Sequence, residues 1–420
     1  MSNQKKQWGA IIVMIALFAM IAFVTNLCTP MATIIKNQGP ISNVLAQIGN
    51  YGNFVAYLVM GIPAGMLISK FGYKKTALIG LAVGATGILI QWFSGQLDVE
   101  QNLGLVFAVY LVGAFIAGLC MCILNCVVNP MLNLLGGGGN SGNQLIQIGG
   151  VFNSSAAVAC YILMGALISD ATKAKIADAT PALMIALAIF VIAFIVIMFT
   201  KIEEPEQAPV ELGLIKGAMS YRHFALGALA IFLYMGIEVG VPNFVQQYLI
   251  ADGIPAGTVG MIVAVYWFMM LIGRFVGASI GSKVSSRAMV TTVSIATLVL
   301  VLFGMYAPAD VLVSFPGVDW GKLELIWQPI PMGIFAFLLV GLCTSVMWGA
   351  IFNMAVEGLG KYTAVASGIF MTMVFGCAVM MGIQGYVADL TDYMTSFWVV
   401  VFCAAYILFY ALVGSKPAKK

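Results

Sequence analysis

Charge is the scarcest commodity in this chain: 8% of its 420 residues are Asp, Glu, Lys or Arg, against 62% hydrophobic. There is a single histidine, His223, and no cysteine pair spaced as CxxC. One peripheral histidine cannot make a metal centre, and a catalytic site needs a nucleophile with a base or a metal cluster, so an enzyme is not expected. The net charge of +3 is spread thinly, without a basic patch, so no nucleic-acid partner is expected. No P-loop accompanies the apolar runs, so ATP is not the expected energy source and no cofactor is expected. The segment from Gly137 to Gly142 fits GxGxxG, but a dinucleotide site requires a strand before it and a βαβ unit around it. It reads as a turn.

What the chain has in abundance is long apolar runs. Ala182 to Thr200 carries no charge, close to the ~20 residues a helix needs to cross a bilayer. Lipid offers no partner to backbone amides, so such runs are helices. Charged and Pro/Gly-rich breaks delimit twelve, at 8–35, 43–69, 76–95, 103–133, 143–169, 182–200, 222–250, 256–281, 288–306, 329–357, 362–388 and 393–414. The expected fold class is an all-α membrane protein, with its first run too long for a signal-peptide core and read as a retained helix. The eight cysteines fall inside these helices and read as reduced packing residues.

Basic residues fix the expected orientation. With both termini cytoplasmic, Lys5, Lys6, Lys70, Lys74, Lys75, Lys201, Lys216, Arg222, Lys283, Arg287, Lys361, Lys416, Lys419 and Lys420 lie inside, 14 of the 19 Lys and Arg. Lys36, Lys173, Lys175 and Lys322 lie outside, and Arg274 lies within a helix. That bias satisfies the positive-inside rule.

The most polar connection, Lys201 to Arg222, contains Glu203, Glu204, Pro205, Glu206, Pro209 and Glu211. It divides the chain into a six-helix bundle over 1–200, a cytoplasmic linker over 201–222 and a second bundle over 223–420. Laid over each other at an offset of 212, Asn26 to Pro30 matches Glu238 to Pro242, and Gly61, Gly65 and Ser69 match Gly273, Gly277 and Gly281. At 224, Asn129, Leu135 and Gly136 match Asn353, Leu359 and Gly360. Such a parallel repeat is the plan of a two-domain transporter with its solute site between the halves, although small residues at this spacing also occur wherever helices approach closely.

Polar side chains within a bilayer are costly unless they find partners or water, so each is a functional candidate. The first run offers Thr25, Asn26, Thr29 and Thr33; the second, Asn43, Gln47, Asn50, Asn53 and Tyr57; the fourth, Asn125, Asn129 and Asn133 on one helical face; the fifth, Gln144, Gln147, Asn153 and Ser154. From the second half come Gln246, Asn353 and the ring of Trp267 or Trp348. Amides both donate and accept, as a polyhydroxylated solute requires, and an aromatic ring suits the apolar face of a sugar. The substrate-binding candidates are Asn26, Thr29, Asn50, Asn125, Asn129, Gln147, Asn153, Gln246, Trp267 and Asn353. The plainer alternative is that the amides tie helices together and the tryptophans fill space. Glu238 and Arg274 are the charges deepest in predicted helices and are the coupling candidates, with a structural ion pair as the alternative.

Gly65 to Lys75 (GMLISKFGYKK) resembles the loop between the second and third helices of the major facilitator superfamily, with Ser69 where an acidic residue is usual. Tyr234 to Gly240, Ile272 to Phe275 and Ile351 to Thr363 resemble the fucose–proton and glucose/galactose symporter family, as do Thr25-Asn26-Leu27, Asn129-Pro130 and Phe152-Asn153. The resemblance implies two pseudo-symmetric six-helix bundles in a bacterial inner membrane and a monomeric secondary transporter of a sugar, with proton or sodium as the co-transported ion. Two departures bear on coupling: Thr29 and Asn125 stand where that family has carboxylates. An uncoupled facilitator and a transporter-like nutrient sensor are therefore the alternatives.

Overall fold

The computed structural model describes residues 7–36, 38–97, 99–135, 139–168, 174–202, 204, 213–280, 284–319, 324–359 and 362–416. Outside them lie Gly136 to Gly138, Asp170, Lys173, Lys283, Lys322, Gly360, Lys361, most of the linker with Glu203, Pro205, Glu206, Pro209 and Glu211, and both chain ends with Lys5, Lys6, Lys419 and Lys420.

The first half comprises α1 (Trp8–Asn26), α2 (Cys28–Lys36), α3 (Asn43–Ala46), α4 (Ile48–Ser94), α5 (Val99–Leu135), α6 (Gly139–Leu167) and α7 (Thr180–Phe199). After the short α8 (Leu214–Met219), the second half runs through α9 (Arg222–Glu238), α10 (Gly240–Ala251), α11 (Ala256–Ile280), α12 (Ser286–Tyr306), α13 (Gly333–Val356), α14 (Thr363–Met373), α15 (Gly376–Leu390), α16 (Tyr393–Ser396) and α17 (Trp398–Phe409). Among the described residues, 11 helical segments are long and apolar enough to cross a membrane.

One of them makes two passes. At 1.5 Å per residue the 47 residues of α4 would stretch ~70 Å, more than twice a hydrocarbon core. The chain reverses at Gly72, whose φ of 79° and ψ of 173° suit glycine. Both arms then flank α5: a methyl on Gly52 would strike Ala114, and one on Gly87 would strike Ala117. The described chain thus makes the twelve passes expected, so that Trp8, Arg222 and Gly414 stand toward one face.

The reversal is clamped from the linker. Tyr73 N donates to Glu204 Oε2 at 2.6 Å and Lys74 N to Glu204 Oε1 at 2.9 Å, meeting backbone donors that open the returning arm. Lys74 Nζ in turn donates to the carbonyls of Met198 and Thr200 at 3.1 and 2.8 Å, closing the end of α7.

The duplication surfaces in the backbone. The first pass breaks between α1 and α2 at Leu27, and the seventh breaks between α9 and α10 at Val239, 212 residues on. The cause is local: Pro30 and Pro242 each lack the N–H that would bond four residues back, freeing the carbonyls of Asn26 and Glu238. Close approaches repeat as well. A methyl on Gly118 would sit 2.1 Å from Asn53 O, and one on Gly341 2.2 Å from Tyr266 O, so in each half the fourth pass lies directly on the second.

Between α12 and α13 the chain adds an antiparallel hairpin, β1 (Leu312–Asp319) with β2 (Glu324–Pro331), in register from Leu312↔Pro331 to Asp319↔Glu324. Its buried face seats Gly317 against Thr258 at the start of α11. All eight cysteines are free and seven are buried. His223 is buried, its Nε2 2.8 Å from Glu357 O, a contact within the second half.

Candidate functional site

Toward the face opposite Trp8 and Arg222, α2, α3 and α4 of the first half meet α10, α15 and α16 of the second along a polar seam. Gln47 and Asn243 form a reciprocal amide pair: Gln47 Nε2 donates to Asn243 Oδ1 at 3.0 Å and Asn243 Nδ2 donates to Gln47 Oε1 at 3.1 Å. Gln247 Nε2 donates to Asn243 Oδ1 at 2.6 Å, and Asn50 Nδ2 to Gln47 Oε1 at 2.6 Å. Asn243 Nδ2 reaches Thr29 Oγ1 at 3.4 Å, and Gln246 Nε2 donates to Thr33 Oγ1 at 3.1 Å. Helical spacing builds the pattern, since Asn243 and Gln247, and Thr29 and Thr33, stand four apart and share a face.

Every one of these groups is buried and neutral. Neutral hydrogen bonds contribute only ~0.5–1.5 kcal/mol net, so the seam is exchangeable in a way that buried ion pairs are not. It also keeps unused capacity: among the described residues, Asn50 Oδ1, Gln246 Oε1 and Gln247 Oε1 have no hydrogen-bond partner. Trp267 stacks on Tyr161 from the other half, ring centroids 6.3 Å apart and planes at 22°. A small cavity beside this pair is lined by Thr33, Tyr161, Met164 and Gln246.

A second crossing joins α11 to α6. Arg274 Nη1 donates to Gly150 O and reaches Asn153 Oδ1 at 3.5 Å, while Asn153 Nδ2 donates to Phe18 O at 2.8 Å. The guanidinium is thus spent across the interface on the first half. Glu238, the last residue of α9, lies beside Tyr234 and within electrostatic reach of Arg274.

The remaining candidates lie apart from the seam. Asn26 Nδ2 donates to Ala22 O at 2.8 Å, and Asn129 Nδ2 to Asn125 O at 3.1 Å, both within their own helices. Asn125 Nδ2 donates to Tyr57 OH at 3.0 Å and to Met121 O at 3.1 Å. Asn125 and Asn129 are half-buried, and Asn353 is exposed near the end of α13. The side chains of Gln147, Gln144 and Asn133 lie outside the described residues. Trp348 packs 6.1 Å from Tyr234. Of the sequence candidates, the seam gathers Thr29, Asn50, Gln246 and Trp267. Gln47 and Thr33, named in the polar stripes of the first two runs, join them, and the structure adds Asn243, Gln247 and Tyr161; Asn243, Gln246 and Gln247 form an amide stripe that the rule applied to the other helices would have flagged.

Two halves of six passes each, meeting along a neutral polar seam, are the architecture of a membrane solute transporter. Residues 10–382 match the Major Facilitator Superfamily, and the chain belongs to that family. The chain is 28% identical over 425 residues to a "Glucose/galactose transporter" of Brucella abortus biovar 1 (strain 9-941), covering 99% of this chain and 96% of the relative. To the "L-fucose-proton symporter" of Escherichia coli (strain K12) it is 21% identical over 433 residues, covering 96% and 92%. Among solved structures, the transporter FucP in the outward conformation superposes with a TM-score of 0.68 at 21% identity, over 96% of this chain and 97% of that one.

Proposed function

We propose that the protein carries a neutral monosaccharide of the glucose, galactose or fucose kind across a bacterial cytoplasmic membrane by alternating access. The observation that carries this reading is the seam itself: amides and hydroxyls from both halves, without a charge among them, several with unused acceptors. Such groups match hydroxyls, which donate and accept alike, and give nothing to a solute that must be neutralised. The full-length similarity to relatives named for glucose, galactose and fucose supports the same class.

In this reading residues 1–200 and 223–420 are the moving bundles, 201–222 is the cytoplasmic linker, and the seam closes the external side. The stacked Tyr161 and Trp267 flank the sugar ring when the seam parts. Glu238 is the coupling carboxylate and Arg274 holds the halves together near it, because Thr29 and Asn125 leave no carboxylate in the first and fourth passes. Those same two residues favour one alternative, an uncoupled facilitator. Thermal stabilisation of the purified protein by glucose, galactose and fucose, set against an amino acid and a carboxylate solute, tests the substrate class. Stabilisation by the charged solutes alone would overturn it.

A further inference from the structure

Outside the neutral seam, a carboxylate also crosses between the halves on the same face. Asp389 stands next to the last residue of α15, exposed at its rim, and its carboxylate accepts from two backbone donors of the first half: Asn43 N at 2.6 Å and Val44 N at 3.1 Å. The first turn of α3 accounts for all four of its N–H groups. Leu45 N donates to Ser42 Oγ at 3.1 Å and Ala46 N to Ser42 O at 3.0 Å, while the donors of Asn43 and Val44 are met from the opposite half by Asp389. Tyr393 OH donates to Asn43 Oδ1 at 2.8 Å, tying the same residue to the second half again. Below the clamp the helices touch closely, with Gly385 against Asn43 O and Gly382 against the ring of Tyr51.

We propose that Asp389 is a positioning residue for the transport cycle, the latch that holds the second pass against the eleventh and sets how often this face opens. A carboxylate accepting two N–H groups makes charge-assisted bonds roughly twice as strong as the neutral amide bonds of the seam. Opening must break it, because α3 and α15 belong to different halves. Lys36, Tyr51 and Tyr393 face the carboxylate electrostatically from α2, α4 and α16, so the latch is a carboxylate held among one cation and two phenols. The transport consequence rests on the alternating-access reading; the latch is measurable without any sugar.

The test uses the full-length protein in lipid nanodiscs with spin labels at Gln96 and Asp310, exposed residues of the two halves on this face. Asp389→Asn keeps the shape but turns an amide donor toward one backbone N–H. Loss of the charge-assisted bonds should raise the ratio of long to short label distances about tenfold or more. Asp389→Glu should recover most of the short population. Asn43→Pro removes a donor from the other side of the latch and suits its place, since Ser42 before it is extended at φ −64° and ψ 156°. It should open the face even where the asparagine variant fails to fold. Distances unchanged in both folded variants would overturn the latch, and so would a glutamate variant as open as the asparagine one. A protein that opens as expected yet binds no sugar would instead overturn the substrate reading and leave the latch standing.

Discussion

Replacing Asn243 with Leu removes the hub of the seam. The wild-type amide exchanges two bonds with Gln47 at 3.0 and 3.1 Å, accepts from Gln247 at 2.6 Å and reaches Thr29 at 3.4 Å. Leucine fills a similar volume, so no large cavity forms. It strands the side-chain N–H groups of Gln47 and Gln247, both buried. Gln47 Oε1 keeps its bond from Asn50. Two stranded buried donors cost about 1–3 kcal/mol each, so the closed seam loses roughly 2–6 kcal/mol. Water reaching the parted seam relieves that cost, which shifts the equilibrium about 30-fold or more toward the open face. The distance between spin labels on Gln96 and Asp310 reads the shift directly, and sugar affinity should fall in parallel. Thr29→Val is the matched control. It deletes a long, weak 3.4 Å contact to Asn243 and the hydroxyl beside Tyr161 but leaves the Gln47–Asn243 exchange intact, so it should move the distribution by a small fraction of that amount. Equal effects from the two substitutions, or none from Asn243→Leu in a folded protein, would refute the hub.

Gly72→Ala forces an L residue into φ of 79° and sets its methyl against Glu204, so it should cost about 1–2 kcal/mol or more, whereas Glu204→Ala should cost less; thermal unfolding in detergent compares them, and an alanine at 72 without effect contradicts the clamped reversal. Glu238→Gln should abolish concentrative uptake and spare counterflow, with Glu238→Gln plus Arg274→Met measured beside it to separate lost coupling from a stranded cation; full concentrative uptake in the double variant would remove Glu238 from the coupling role. Asp392 accepts from the Thr395 hydroxyl at 2.6 Å and from its backbone N–H at 2.9 Å, which holds its carboxyl below the usual range. A depressed folded-state pKa contributes stability above the ordinary value near ~3.9 that is lost as pH falls through the lowered one, so Thr395→Val should flatten the acid end of the stability profile, and an unchanged profile would contradict this cap.

Much of the architecture was legible because the bilayer leaves few choices. Apolar runs of crossing length must be helices, and Lys70, Lys74 and Lys75 mark the reversal that Gly72 then makes. Pro30 and Pro242 made the duplication readable, since a missing N–H breaks both helices at the same place. The site was legible only by face. A stripe such as Thr29 and Thr33 announces a polar surface, but nothing in its spacing says that Asn243 and Gln246 will meet it from 213 or so residues away. Asn26 and Asn129 carried the same signal yet bond within their own helices, which any mid-helix amide can do. Asp389 reads in sequence as a carboxylate near a helix end within reach of solvent; its partners are backbone donors, which have no signature in sequence. The β hairpin was hidden by Pro316, Gly317, Pro329 and Pro331, residues that weaken any strand pattern.

Counterflow in proteoliposomes tests the central claim most directly. Vesicles preloaded with unlabelled galactose, glucose or fucose should take up trace labelled sugar from outside, Asn243→Leu should reduce that exchange, and protein-free vesicles should show none. Folded wild-type protein that binds a sugar yet exchanges none of the three, or one that exchanges only charged solutes, would contradict the claim that this neutral seam serves sugar transport.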